Sequence, residues 1–220
     1  MKRKIIVMLF FIIATFIMSN NTLCANPIMI NNDSFESFTG PAIYEDQFGV
    51  YSIGGISGWN TIGMVGAWSP TSIVYTSVPD GNSVAWVHSG SISQVLSETL
   101  NVGTYDLKIF VGNRINYDFP GYSVELYAGD NLLATSNSLI PDDGTFALLT
   151  LEYLAEAGNS NLGNALKIVL TGLGHQTNFD KISLDYTSAN QDLASVPEPA
   201  IILLLGLGLA CLAGFRRKFK

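Results

Sequence analysis

Apolar and polar residues alternate along most of the middle of the chain, a pattern typical of half-buried β-strands. In residues 104–111, for example, Tyr105, Leu107, Ile109 and Val111 fall on one face of a predicted strand. Further strands are predicted at 83–88, 91–98, 122–128, 132–135, 146–155, 165–171 and 178–186. No segment of this region has a convincing helical period, so the pattern predicts an all-β domain.

Turn-forming residues separate these strands. Gly129, Asp130 and Asn131 stand between two predicted strands and indicate a hairpin. Further turns are predicted at 80–82 and 142–144. Many short strands joined by such turns favour an antiparallel β-sandwich of the jelly-roll type, whose two sheets can bury a core at this length. We therefore predict one β-sandwich domain over residues 26–187.

The N-terminal region has a different pattern, an uninterrupted apolar run behind a basic start. Basic residues at positions 2–4 precede the apolar stretch 5–18, which is too short for a comfortable membrane span and the right size for a secretory signal. Cleavage after Ala25 then gives a signal peptide over residues 1–25. A lipoprotein modified at Cys24 and an uncleaved signal anchor are the two alternatives.

The C-terminal region carries a second apolar run, residues 200–215, after a polar linker at 188–196. As a helix this run reaches about 24 Å, short of the roughly 30 Å hydrocarbon layer, so it predicts a marginal transmembrane helix. The residues Arg216, Arg217 and Lys218 follow it and place this end in the cytoplasm by the positive-inside bias. The rest of the chain is then outside.

A short motif, Val196, Pro197, Glu198 and Pro199, stands directly before that apolar run. The prolines hold Glu198 in extended chain, although taken alone they also suit the plain start of a helix. The order of motif, apolar helix and basic tail over 197–220 resembles the sorting signal of the PEP-CTERM proteins of Gram-negative bacteria. This resemblance implies export through the inner membrane, transient anchoring there, and processing of the Pro-Glu-Pro segment by an exosortase.

The same resemblance implies a destination. After processing, the domain would reach the cell surface or the extracellular space, and the family is commonly associated with extracellular polysaccharide and biofilm matrix. A structural or adhesive role of the β-sandwich follows as the expected function.

Charge is distributed unevenly along the chain. All 18 acidic residues lie between Asp33 and Glu198. The basic residues in that region are Lys108, Arg114, Lys167 and Lys181. Such an acidic domain would repel phosphate backbones, which excludes nucleic acid as a partner. Both cysteines, Cys24 and Cys211, lie in the terminal segments, so no disulfide is expected within the domain.

The two ends of the domain resemble the paired ends of galactose-binding-like jelly rolls, which include many carbohydrate-binding modules. The residues that carry the resemblance are 31–36 and 178–184, although the chain has Asn32 where that opening turn usually has glycine. It implies adjacent first and last strands bridged by a structural calcium, with Glu36 and Asp180 as side-chain ligands and backbone carbonyls completing the set. Hard oxygen ligands of this kind suit calcium. Alternatively, Glu36 is a plain surface residue and Asp180 pairs with a neighbouring lysine or a turn amide.

Aromatic residues offer candidates for ligand binding. Trp59 and Trp68 stand in segments that read as loops, where their faces would stack on the apolar faces of sugars. Packing in the core is the alternative for both, and it is the preferred interpretation for Trp86. These tryptophans support a second hypothesis for the function, a carbohydrate-binding module for extracellular polysaccharide.

Signals for catalysis are poor. His88 and His175 are far apart in sequence and form no metal-ligand pair at helical spacing. The chain has neither a Gly-x-Ser-x-Gly elbow nor a phosphate-binding glycine loop. The carboxylates permit an acid/base pair for glycoside hydrolysis, but their spacing singles out none. We therefore expect no enzymatic activity and place a hydrolase last among the hypotheses.

Overall fold

A computed structural model describes residues 25–40 and 43–189, and this part of the chain is built from antiparallel β-strands. The strands are β1 (Asn26–Ile28), β2 (Ile43–Asp46), β3 (Gly49–Ser52), β4 (Asn60–Pro70), β5 (Val84–Thr99), β6 (Gly103–Asn113), β7 (Tyr122–Ala128), β8 (Asn131–Ser136), β9 (Thr145–Ala155) and β10 (Ala165–Ser188). The predicted signal peptide, sorting segment and most of the linker lie outside the described residues. Among residues 25–40 and 43–189, no helix is long and apolar enough to cross a membrane.

The strands pair in the order β2-β3-β4-β5-β10-β6-β9, and β7 with β8 extends from β10. The first half of β10 pairs with β7, while its second half pairs with β6. β10 therefore takes part in both layers of the fold. The predicted antiparallel β-sandwich is confirmed, as is the hairpin between β7 and β8.

Two pairs of predicted strands are in fact single long strands. The segments 83–88 and 91–98 form one strand, β5, and the segments 165–171 and 178–186 form another, β10. Three glycines stand side by side within these strands, since Gly90 of β5 is the register partner of both Gly63 in β4 and Gly172 in β10. A Cβ on Gly90 would lie 2.1 Å from the Ile62 carbonyl oxygen, so the strands approach each other there only because side chains are absent. These glycines therefore do not end the strands.

The region between residues 43 and 70 also differs from the prediction. It contains β2, β3 and β4, although no strand is predicted there. Trp68 consequently lies within β4 and not in a loop. Glycines and a terminal proline hide this strand in the sequence, because both residues are usually depleted in strands.

The core lies between the two layers and follows the predicted alternation. Tyr105, Leu107, Ile109 and Val111 of β6 are all buried, at 1% exposure or less. They pack with apolar residues of β5, β7, β9 and β10 into one continuous cluster.

The two ends of the domain meet as expected, with β1 paired antiparallel to the end of β10. The turn that follows β1 contains Asn32 in the left-handed region, at φ 53°. Its side chain donates to the carbonyls of Ser37 and Ser57 and accepts from the Ser37 N–H. Asparagine tolerates this conformation better than other non-glycine residues, so it replaces the usual glycine of that turn.

Candidate functional site

A cavity of about 200 Å³ is lined by residues of β2, β3, β4, β5 and β10 and of the segments that follow β2 and β6. We call it the aromatic cavity, because five of the side chains that line it are aromatic. They are Phe48, Tyr51, Trp68, Trp86 and Tyr117. Three polar side chains, Asp46, Arg114 and Gln176, complete the lining.

The strand register sets the aromatic walls. Tyr51 of β3 is the register partner of Trp68 in β4, and Gly66 of β4 is the partner of Trp86 in β5. Gly66 is required there, because a Cβ would lie 1.9 Å from the Ser52 carbonyl oxygen and 2.7 Å from Trp86 Nε1. The Trp86 indole N–H can thus donate to the Ser52 carbonyl at 3.0 Å, which fixes the ring at the cavity wall.

Arg114 places a positive charge in the aromatic cavity. Its side chain is 6% exposed. The guanidinium carbon lies 4.5 Å from the Tyr117 ring centroid, 5.0 Å from that of Trp68 and 5.4 Å from that of Phe48. Burial lowers the pKa of Arg114, but an arginine keeps its charge in proteins. The aromatic faces stabilise this charge through cation–π contacts.

Neutral amides hold the guanidinium in position. Arg114 Nε donates to the Asn116 side-chain oxygen at 3.2 Å, and Nη1 donates to Gln176 Oε1 at 2.5 Å. Asp46 lies at the rim, where its carboxylate favours the charged form of Arg114 without reaching ion-pair distance in the described structure. Asp46 Oδ1 accepts the Phe48 N–H at 2.8 Å, so the carboxylate is also oriented by its own turn.

A second layer of hydrogen bonds supports the cavity wall from behind. Tyr75 is buried against Trp68, with ring centroids 6.1 Å apart, and its hydroxyl donates to Asn178 Oδ1 at 2.8 Å. Burial raises the pKa of Tyr75, so the phenol stays protonated and keeps its role as a donor. Asn178 in turn donates to the Ala85 carbonyl at 3.2 Å, which ties β10 to β5.

The two histidines are far apart in sequence but lie next to each other, beside Tyr117 of the aromatic cavity. The ring centroids of His88 and His175 are 4.1 Å apart, and His175 stacks on Tyr117 at 3.9 Å. Burial, and to a lesser degree the neighbouring His175, lowers the pKa of His88. The pairing arises because β10 has a register irregularity between Leu173 and Thr177, opposite His88 of β5. The histidine pair therefore depends on the strand register, which the periodicity of the sequence does not show.

The two tryptophans predicted as sugar platforms have different surroundings. Trp59 is 7% exposed and packs in the core against Phe35, at 5.3 Å between ring centroids. Its indole N–H donates to the carbonyls of Asn31 and Asn32. The prediction of a stacking surface at Trp59 is therefore wrong, because the ring is enclosed. Trp68 does line the cavity, but it is 3% exposed and the Arg114 guanidinium covers its face.

The structure brings the two predicted calcium ligands to the same loop, residues 80–83. Asp180 is fully buried, and its two oxygens accept backbone N–H groups of Asp80 at 3.0 Å and Lys181 at 2.7 Å. Glu36 Oε1 accepts two backbone N–H groups of the same loop, at 2.9 and 2.7 Å.

Asp180 is a buried carboxylate that forms no ion pair within residues 25–40 and 43–189. Burial, together with the carboxylates of Asp80 and Glu36, raises the pKa of Asp180 to about 7, although backbone hydrogen bonds oppose the change. Among residues 25–40 and 43–189, no three histidine, cysteine or acidic side chains converge as a metal site. A cation held here would therefore need backbone carbonyls as its remaining ligands. The buried, acidic donor set fits a hard divalent cation.

Comparisons with known proteins assign both parts of the chain. The family described as HpiC1 cyclase matches residues 26–185. The PEP-CTERM protein-sorting motif matches residues 195–218, which confirms the predicted resemblance and marks the chain for export with a membrane-anchored C-terminus. None of the curated proteins matches the chain.

Solved structures similar to this chain include cyclases from Fischerella. A Stig cyclase, Fisc, from Fischerella sp. TAU in complex with (3Z)-3-(1-methyl-2-pyrrolidinylidene)-3H-indole is 26% identical, with a TM-score of 0.66, and the match covers 76% of this chain and 100% of that one. A cyclase from Fischerella sp. TAU in complex with 4-(1H-indol-3-yl)butan-2-one is 25% identical, with a TM-score of 0.65 and coverage of 76% and 100%. The apo form of a cyclase from Fischerella sp. is also 25% identical, with a TM-score of 0.67 and coverage of 77% and 100%.

Proposed function

The chain belongs to the HpiC1 cyclase family, and on this premise we propose that it is an exported, anchored protein whose aromatic cavity binds a flat, indole-type small molecule. The observation that carries the proposal is the cavity itself, with five aromatic walls around a fixed polar group. Two of the similar cyclases hold indole compounds. Aromatic rings pack on one another favourably in offset or edge-to-face geometry, so such a lining suits an indole.

The size of the aromatic cavity limits the ligand that it can hold. Small-molecule pockets usually measure about 300–1,000 Å³, whereas the aromatic cavity measures about 200 Å³. Arg114 occupies the centre of the space that the aromatic walls enclose. The remaining room suits one flat ring system with a short chain.

The proposal is tested by calorimetric titration of the domain with 4-(1H-indol-3-yl)butan-2-one. We expect saturable 1:1 binding. Tyr117→Ala removes an exposed aromatic wall and should weaken binding by about fivefold, because an aromatic pair contributes about 1 kcal/mol. Tyr127→Ala is the matched control, since Tyr127 lies on β7, outside the cavity lining. Absence of saturation at millimolar ligand would overturn the proposal.

Catalysed cyclisation in the same cavity is a second candidate, favoured by the family assignment and by the carboxylate of Asp46 in the lining. Such a carboxylate can exchange a proton with a substrate. Cyclisation leaves the mass of an unsaturated indole unchanged but alters its chromatographic retention. If an isomer forms only in the presence of the protein, and does not form with Asp46→Asn, the cavity catalyses cyclisation and does not merely bind the ligand.

A structural or adhesive role, with binding of extracellular polysaccharide, is a further candidate. It is favoured by Tyr44 and Tyr51, which stack at 5.3 Å between ring centroids beside the cavity, with Tyr44 44% exposed. Exposed aromatic pairs of this kind can stack on sugar rings. A glycan array probed with wild type and with Tyr44→Ala tests this role. Binding to a glycan that the variant loses would support it, and no binding to any glycan on the array would reject it.

The sorting segment has a separate proposed fate. We expect an exosortase-type enzyme to process Pro197, Glu198 and Pro199, releasing the domain to the surface or the extracellular space. Intact-mass measurement of the mature protein tests this expectation. Replacing the three residues with alanine should leave the full C-terminal mass and increase membrane retention, and an unchanged mass and location would refute it.

Calcium is proposed as a structural cofactor of the domain, held by Asp180 and Glu36 with backbone carbonyls. The proposal is supported by the buried Asp180 carboxylate, near which Asp80 and Glu36 add further negative charge. A cation bound only to the folded state must raise its stability. A melting temperature that neither millimolar calcium nor a chelator changes would exclude this site.

A further inference from the structure

Unlike Lys108 and Lys167, Arg114 has no acidic partner within ion-pair distance in residues 25–40 and 43–189. Lys108 pairs with Asp185 at 3.4 Å, and Lys167 pairs with Asp130 at 3.5 Å. Arg114 is 6% exposed and bonds only neutral side chains. Burying a charge is costly unless a charge or several hydrogen bonds compensate it. The cation–π contacts compensate Arg114 in part.

Arg114 has a guanidinium nitrogen that no protein group binds within the described residues. A guanidinium has five N–H donors, and the structure records one hydrogen bond from Nε and one from Nη1. No hydrogen bond from Nη2 is recorded among the described residues, where every buried side-chain nitrogen or oxygen atom has a partner. Nη2 is therefore accessible, and it belongs to a side chain that lines the aromatic cavity.

We propose that the aromatic cavity selects an aromatic acid: a flat ring system between the aromatic walls, with a carboxylate that accepts hydrogen bonds from Nη1 and Nη2 of Arg114. This inference rests on the proposed binding function and specifies its ligand class. A carboxylate matches the planar fork of a guanidinium, and charge-assisted bonds of this kind are about twice as strong as neutral ones. The acid would supply the negative partner that the protein itself does not place beside Arg114.

Asp46 sets a limit to this selectivity. It lines the rim of the same cavity, is exposed, and acts electrostatically on Arg114. A ligand carboxylate would be repelled weakly by Asp46 and attracted strongly by Arg114, because only Arg114 is buried and in contact with the bound group. Removing the Asp46 charge should therefore strengthen binding of an acid more than binding of a neutral ligand.

A matched pair of ligands tests the inference. The ketone 4-(1H-indol-3-yl)butan-2-one and the acid 3-(1H-indol-3-yl)propanoate have the same ring and chain, and differ by a methyl group in place of a carboxylate oxygen. At pH 7.5 and low salt we expect the acid to bind at least tenfold more tightly in calorimetric titration. Its advantage should decrease at higher salt, whereas the affinity for the ketone should change little.

Three variants locate the source of the preference. Arg114→Met keeps an unbranched side chain but removes the charge and the N–H donors, and should make the acid and the ketone bind equally. Asp46→Asn, at an exposed position, should raise the affinity for the acid about twofold, and this variant tests the inference even if Arg114→Met does not fold. Lys167→Met removes the same unit of charge far from the cavity and should leave the preference intact.

The outcomes separate this inference from the function on which it rests. Equal binding of acid and ketone by the wild type, or a preference that survives Arg114→Met, would overturn the inference while leaving the binding function in place. Failure of both ligands to bind would overturn the proposed function itself. Tight binding of the acid that depends on Arg114 supports both.

Discussion

Asp180 allows a quantitative test of how the domain depends on a bound cation. The perturbation is removal of divalent cations with a chelator, combined with the substitution Asp180→Asn. In the folded chain Asp180 is fully buried beside two other acidic side chains, and its pKa is raised from 3.8 to about 7. In the unfolded chain the same carboxyl is solvated and titrates near its ordinary pKa of about 3.9.

The magnitude follows from these two pKa values. The folded state holds the Asp180 proton more tightly than the unfolded state, so stability from this group is fully present below about pH 4 and is lost as pH rises through about 7. A difference of about three pKa units corresponds to about 4 kcal/mol in the free energy of unfolding. For a domain of this size that is about 10 °C in melting temperature.

The assay is urea denaturation of wild type and Asp180→Asn between pH 4 and pH 7.5 in the presence of a chelator. Subtracting the two free energies of unfolding removes the contributions of the other titrating groups, because both proteins share them. The stability of the variant relative to wild type should increase by about 4 kcal/mol over this range. Loss of the backbone hydrogen bonds to Asp180 adds an offset that does not depend on pH. Calcium should stabilise the wild type above pH 7 and should not stabilise the variant. A stability difference that stays constant with pH would refute the reasoning.

Further predictions concern the cavity wall and the sorting segment. Gly66→Ala should lower the free energy of unfolding, measured by urea denaturation, by about 3 kcal/mol or more, because its Cβ would lie 1.9 Å from the Ser52 carbonyl oxygen. Gly158→Ala is the control and should change this free energy very little, because no atom lies within 4 Å of its Cβ. Tyr75→Phe removes the bond to Asn178 and should cost about 1–2 kcal/mol in thermal denaturation without changing net charge. Alanine at 197–199 should block the mass loss expected on processing, and normal processing of that variant would contradict the sorting assignment.

Local alternation was enough to predict much of the fold. Strands β6, β7, β8 and β9 lie close to their predicted positions, since each shows its period within a few residues and ends at a recognisable turn. The prediction divides β5 and β10 into two strands each, because a glycine inside a strand has the same sequence signature as a glycine in a turn. Gly90 and Gly172 illustrate this, since each lies inside a continuous strand.

The candidate site was much harder to predict than the fold. In the sequence, Arg114 is only one of a few basic residues of the domain. Nothing in the residues around it indicates that Phe48 and Trp68 enclose it. Contacts of this kind depend on the register between distant strands, which a single sequence does not determine. The pair of His88 and His175 was missed for the same reason, whereas Glu36 and Asp180 were placed together through the resemblance of the two chain ends.

The central position of β10 affects how the protein responds to force. This strand forms ladders with β1, β5, β6 and β7, and the chain continues from its end toward the sorting segment. While the protein is held by that segment, any pull from the membrane enters the domain through its most extensively bonded strand. Flow or the movement of neighbouring cells would then have to rupture several hydrogen-bonded ladders to extract this strand, so the anchored domain should resist mechanical unfolding better than one tethered through an edge strand.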